Sequence, residues 1–544
     1  MTVKAIKELF ESGKYQEVLK LVQKEEQGQF AFCTEVEKIE YRYYQSRSLE
    51  RIGKPEEALR VATTARSTFV SLNDKSLALV LVVAQLYALY RLGRLDEAFD
   101  VIMEGNTILE PLTAKERQIG ASWIALFENI KGNIFWAKGE LNMALEFYHR
   151  SLTLYETMGE QYYIATSLNN IGAIYHSKGE LDTALHYYHR SLTIREIIGN
   201  PQHIASSLNN IGWIYRAKGD VNRALEYLQR SLSLYKVIDN PQHIATSLHN
   251  IGAIYYVKGE LDTALDYYHR SLTIREVIGN PQDIATTLNN IGLVYYSKDE
   301  LDKALDYLQR SLTLYETGGN DILTSETILQ LILLSLDQKK QVQVQAYLTQ
   351  LQQFQIRTPN KIIHLLSRLA EALVLKRSKR LKEKIQAQNL LEQIVSEEVI
   401  DFEYTALAMI HLSDLLIGEV KLHGEPEVWE EAKALIEQLL VKAQNQHSIS
   451  LICEVLLLQA KFAAIDGKLP QTLKFYEQAR LTAAEKNFKL LLQKVETEQK
   501  LFETEIEKWR KLIEGSASLQ ERLKHARMEE YIRDAQIMLN RMKD

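Results

Sequence analysis

The stretch LNNIGAIYHSKGELDTALHYYHRSLTIREIIGNP, Leu168–Pro201, decides how the rest of the chain is read. It recurs at a step of 40 residues. Gly132, Gly172, Gly212, Gly252 and Gly292 share one register, and Ala144, Ala184, Ala224, Ala264 and Ala304 share another. Laid on 241–280, segment 161–200 matches at 32 of 40 positions. A fixed period of this length marks a repeat array, in which each unit buries its apolar face against its neighbours. Leu168, Ile171, Gly172 and Tyr175 fall at helical spacing, and so do Ala184, Tyr188, Ser191 and Leu192. Each unit therefore predicts two helices. Gly172 and Ala184 would let them approach closely, with Tyr175 and Leu168 filling the space beside them.

The composition agrees. The apolar share of 46% is that of a folded chain. The 8 prolines, Pro55, Pro111, Pro201, Pro241, Pro281, Pro359, Pro426 and Pro470, all sit between apolar-periodic runs. Interior proline breaks a helix at a cost of about 3 kcal/mol, so this placement favours an all-α chain. The net charge of -6 gives no basic footprint for nucleic acid. Cys33 and Cys453 lie in apolar helical stretches and read as buried thiols of a reducing compartment. The amphipathic start, MTVKAIKELFESGKYQEVL, lacks the apolar core of a signal peptide. The longest apolar runs, 77–86 and 328–336, fall short of the roughly 20 residues that span a bilayer. A cytoplasmic location is expected.

Outward from the centre the pattern weakens. Over 1–120 it is degenerate: Gly13, Gly53 and Gly93 each fit a helix end that needs positive φ. Glu56, Asp96 and Asp182 fall in the first turn of the following helix, where the dipole favours an acid. The regular array spans 121–320. Divergent pairs follow over 321–485: 324–354, 361–399, 402–418 with 427–443, and 448–466 with 470–484. A helical cap is predicted over 486–544, made of a long helix 487–514 and an amphipathic helix 519–542. No Gly/Ser- or Pro-rich linker interrupts the chain.

Large-Leu-Gly-Tyr, then Gly, then Ala-aromatic-small resembles the tetratricopeptide repeat (TPR). Here the last small residue is Ser (Ser151, Ser191, Ser231, Ser271, Ser311) rather than Ala, and the first large one is Leu rather than Trp. The 40-residue unit, with A-x-S-L-N-N-I-G and L-x-I-R-E-x-I-G-N-P, resembles the arrays of kinesin light chain and of the LGN/Pins spindle adaptors. The resemblance implies a right-handed superhelix of roughly a dozen helix pairs with a concave groove.

Asn170, Asn210, Asn250 and Asn290 repeat at one position of the first helix, preceded by Asn169, Asn209, His249 and Asn289. Asn is a poor mid-helix residue and needs a reason to recur there. The resemblance implies that these amides face the groove and clamp the backbone of an extended peptide, which two donors and an acceptor suit. The competing reading is that they bond neighbouring helices and hold the repeat spacing. Around them the sequence varies, with Trp136, His176, Arg216, Tyr256 and Tyr296 in one register and Asn133, Ala173, Trp213, Ala253 and Leu293 in another. Aromatics and Arg are the residue types of binding hot spots.

Other features read as structural. Glu226–Arg230, Asp266–Arg270 and Asp306–Arg310 are i,i+4 pairs. Lys138, Lys178, Lys218, Lys258 and Lys298 close the first helices, where the dipole favours a cation. His186 and His189 lack the spacing of metal ligands. The basic run KRSKRLKEK, 376–384, suits an acidic partner, RNA or lipid. Its shortness and lack of aromatics favour a solvated helix junction. No phosphate loop, nucleophile elbow or zinc-helix motif occurs, so no enzyme, cofactor or metal is expected.

The sequence predicts an interaction scaffold that takes an extended or short helical segment of another protein into the groove. The alternative is a regulatory sensor whose superhelix changes on binding a peptide or small ligand. RNA binding by helical repeats is the third reading. Self-association is open, and no membrane partner is expected.

Overall fold

The computed structural model describes residues 3–26, 34–68, 75–358, 360–397, 401–445, 448–485, 488–526 and 528. Among these the chain is all-α, with 27 helices in tandem and no strand. The regular array runs Ala121–Ala137, Leu141–Met158, Gln161–Ser177, Leu181–Ile198, Pro201–Ala217, Val221–Val237, Pro241–Val257, Leu261–Ile278, Pro281–Ser297 and Leu301–Thr317. In order these alternate as first (A) and second (B) helices. Each A–B turn is short. Gly179 takes φ +76° and its N–H bonds the His176 carbonyl at 2.8 Å, while Glu180 N–H reaches back to Tyr175 at 2.9 Å. These backward bonds satisfy the open carbonyls of the helix end. Between repeats, Gly199 at φ +77° ends one helix, the Asn200 side chain accepts the N–H groups of Gln202 and His203, and Pro201 opens the next. The sequence G-N-P is thus a stop, a cap and a start in three residues.

Two compact units make up the chain, Met1–Ile214 and Tyr215–Asp544, and the division falls inside the helix Pro201–Ala217. In the first unit Gly172 lies against the ring of Tyr188, where an added Cβ would stand 3.1 Å from ring carbons. In the second unit Gly252 meets Tyr268 in the same way at 3.0 Å. The close approach pairs a glycine of helix A with a large side chain of helix B, Tyr188 and Tyr268 here and Leu308 opposite Gly292, and the fully buried Ala184 and Ala264 line the rest of the seam.

The serine register has a purpose that sequence reading passed over. Ser151 and Ser191 donate to the Ala125 and Ala165 carbonyls at 2.8 and 2.7 Å. Ser271 and Ser311 donate to Ala245 and Ala285, each at 2.8 Å. All four serines are 0% exposed. Each bond ties helix B to the helix A before it and is worth about 1 kcal/mol net. Near the A–B turn the rings Tyr175–Tyr187 stack at 5.4 Å, as do Tyr255–Tyr267 and Tyr295–Tyr307.

Successive repeats are joined by clips of one geometry. Arg195, buried, donates through Nη1 to the His203 carbonyl at 3.0 Å and to Ser207 Oγ at 2.9 Å. Arg275 repeats this with the Asp283 carbonyl at 2.8 Å and Thr287 Oγ1 at 2.7 Å. Tyr155, Tyr235 and Tyr315 hold the same register in the other repeats. The lysines that close the A helices do more than face the dipole. Lys138 reaches Asp96 at 3.3 Å, Lys178 reaches Asn142 at 3.5 Å, and Lys298 bonds Asp262, each one repeat back.

Outside the array the helices extend the predicted ones, as in Phe402–His423 and Pro426–Asn445. A short helix, Ala114–Ile119, was not anticipated; Thr113 and Glu116 form a capping box at its start. Cys453 is buried, and Cys33 lies outside the described residues. The final helix is Leu519–Ala526; the rest of the expected 519–542 helix, past Met528, lies outside the described residues, as does Asn487. No helix among the described residues is long and apolar enough to cross a membrane.

Candidate ligand-binding face

The residues singled out from sequence all lie on A helices, and the structure treats the two units differently. In the first unit Trp136, Asn169, Asn170, His176, Asn209, Asn210 and Trp213 are all half-buried. Asn210 Nδ2 donates to Asn169 Oδ1 at 3.0 Å, joining adjacent A helices. No hydrogen bond joins the Asn170 amide to another described residue, so it keeps its full bonding capacity. Burial lowers the pKa of His176, so its ring stays neutral near pH 7.

In the second unit the same registers turn inward. Asn250 and Asn290 are 5% and 3% exposed, and Tyr256 is 0% exposed. Tyr256 Oη donates to the Leu293 carbonyl at 3.3 Å and lies 3.0 Å from Ser297 Oγ. The expectation that Tyr256 varies for recognition meets a packed phenol instead. Asn290 Nδ2 donates to His249 Nε2 at 3.1 Å, so the histidine that breaks the Asn pattern keeps the bond that Asn169 makes to Asn210. His249 is buried and its pKa is pushed well below the usual imidazole range, first by burial and then by Arg275 and Arg216. A neutral ring with a bare Nε2 is what the amide bond needs. Arg216, Asn289 and Tyr296 remain half-buried, and Tyr296 Oη bonds the Asp337 carboxylate.

Lateral bonds between adjacent A helices are thus present at these asparagines. One amide of each bonded couple spaces adjacent A helices, and in the first unit its neighbours still reach the surface. Sequence offered the lateral bond as one of two readings but could not fix its partners, which are 41 residues apart. The signal was present in the doublet itself, since one Asn can donate forward while the next accepts from behind.

An all-α chain of tandem helix pairs, with small residues at the seams of its regular array and a polar ladder on four of its A helices, is a helical-repeat protein. The tetratricopeptide repeat family profile matches residues 123–196, 163–236 and 243–317, and this central region is a tetratricopeptide repeat array. Among solved structures, the chain is similar to the apo form of the quorum sensor NprR from B. thuringiensis at 13% identity and TM-score 0.46, over 73% of this chain and 99% of that one. It is also similar to BtubC (BKLC) from P. vanneervenii, at 20% identity and TM-score 0.36, over 42% and 91% of the two chains. A putative kinesin light chain from Podosopora anserina, with nearly identical TPR-like repeats, aligns at 14% identity and TM-score 0.32, over 37% and 98%. No curated protein matches the sequence.

Proposed function

We propose that the chain is an interaction scaffold that binds an extended segment of a partner protein on the A helices Ala121–Ala137, Gln161–Ser177 and Pro201–Ala217. The observation that carries this reading is the half-exposed cluster of Asn169, Asn170, Asn209 and Asn210 with Trp136, His176 and Trp213. Amides at successive repeats match the donors and acceptors of a peptide backbone. The tryptophans supply apolar area for side chains between them. The second unit contributes less, because Asn250, Asn290 and Tyr256 are closed.

Panning a displayed library of short random peptides on the full chain tests this. Selected peptides should lose about fivefold in affinity for each amide hydrogen bond removed by Asn170→Ala, at unchanged melting temperature. Trp213→Ala should cost more. Retained affinity in the Asn170→Ala, Trp213→Ala double variant would refute the assignment of this face. A large shift in proteolytic pattern on peptide binding would favour the sensor reading over a passive scaffold.

A further inference from the structure

The turn between helices A and B closes with an acid through the regular array, as at Glu260 and Glu300. In the next two pairs a cation takes that place, at Lys340 and Arg380. The helices there are Asp321–Asp337 with Gln341–Arg357, and Lys361–Lys376 with Leu381–Ser396. Arg377 pairs with Asp337 at 2.9 Å and holds the two turns side by side.

The basic run 376–384 divides in two. Lys376 is largely buried and is used internally, bonding Asp414 and donating to His411 Nδ1 at 3.0 Å. Lys379, Arg380, Lys382 and Lys384 are exposed, and Lys339 joins them from the neighbouring turn. With Lys340 these make six cations; Glu383 and Asp302 are the acids beside them, so the edge carries +4 on a chain of net -6.

Aliphatic side chains stand among these cations. Leu261 and Leu301 are half-buried where they follow the turn, but Leu381 in that register is 65% exposed. Ile385, one helical turn on, is 50% exposed, and Val342 is 85% exposed. Cations flanking outward-pointing aliphatic tips match a membrane surface with anionic headgroups, where the charge is met by phosphate and the tips enter the acyl boundary. Nucleic acid would call for aromatic platforms, and the patch has none. A peptide would need walls to grip it, whereas these side chains point into solvent.

We propose that this edge is a docking surface for an anionic phospholipid membrane, independent of the peptide-binding face. It departs from the sequence expectation of a solvated junction because Leu381, Ile385 and Val342 are left uncovered.

The test is cosedimentation of the full chain with vesicles of phosphatidylcholine alone or with phosphatidylserine at 7:3. Wild type should pellet with the mixed vesicles and stay in solution with the neutral ones. Each cation near an anionic surface contributes about fivefold, so K382E/K384E should weaken binding by at least about 25-fold. L381S/I385S should weaken it about tenfold at unchanged helix content. Wild type that ignores the mixed vesicles, or binds both kinds equally, overturns the proposal. So does either double variant that binds as wild type. Binding to polyglutamate that matches vesicle binding and survives L381S/I385S would assign the edge to an acidic protein instead.

Discussion

Arg275 offers the sharpest test of how the repeats are held together. Arg275 is 6% exposed, and its guanidinium donates twice, to the Asp283 carbonyl and to Thr287 Oγ1. Hydrogen bonds from a charged donor contribute about 1.5–3 kcal/mol each, so truncation to Ala forfeits roughly 3–6 kcal/mol before offsets. Two offsets apply. Burial already penalises the charge, which lowers the Arg275 pKa, and that penalty vanishes with the side chain. Thr287 also keeps its own bond to the Asp283 carbonyl at 3.0 Å, so no buried donor is orphaned. The net cost of Arg275→Ala should be about 2–3 kcal/mol. Arg275→Tyr should cost less than about 1 kcal/mol, because the array itself places Tyr235 and Tyr315 in this register. Tyr315 Oη donates to Thr286 Oγ1 at 2.9 Å, and Thr246 stands in the equivalent place for position 275. Stacked repeats unfold in neighbour-coupled segments, so the assay is amide hydrogen exchange of Leu261–Ile278 and Pro281–Ser297 alongside the urea midpoint. Exchange in these helices should quicken about 30- to 150-fold in the alanine variant and less than about fivefold in the tyrosine variant. Equal losses in the two variants, or a loss below about 0.5 kcal/mol in the first, would refute the clip as the joint between repeats.

Further outcomes follow from the same packing. Gly132→Ala should destabilise the first unit by about 1–3 kcal/mol, since its Cβ would stand 2.6 Å from the ring of Tyr148. Gly418→Ala should instead stabilise the fold by up to about 1 kcal/mol, read as a higher urea midpoint, because that mid-helix glycine has nothing within 4 Å. Acid should weaken the fold through His203, half-buried, and His249, buried. Burial, then Arg195, lowers His203 to about 4, and burial holds His249 well below the usual imidazole range. The unfolded chain binds these protons from about pH 6.5 while the folded one refuses them, so stability present above pH 6.5 is lost as pH falls toward 4. His203→Gln with His249→Gln should flatten that slope in pH-dependent urea titrations. An unchanged slope would show that other groups dominate.

The repeat pattern by itself determined the fold. A seam glycine, an alanine and a serine recurring every 40 residues leave helix stacking as the one arrangement that buries them all. The prolines and glycines marked the helix ends, since Pro201, Pro241 and Pro281 open helices and Gly13, Gly53 and Gly93 take positive φ. What sequence could not decide was which surface stays open. Asn170 and Asn250 share a register and neighbouring residues, yet one is half-buried and the other 5% exposed. Trp213 and Tyr256 were equally plausible as recognition residues, and only one still reaches the surface. Exposure depends on contacts between repeats far apart in the chain, such as Ile449 against Gly219, which a local period does not encode. The basic run shows the same limit. Its nine residues read as one patch, but tertiary packing buries Lys376 against Asp414 and His411 and leaves Leu381 in solvent. Periodicity reports what each helix buries against its neighbours; the face left for a partner is set by how the stacked helices close on one another.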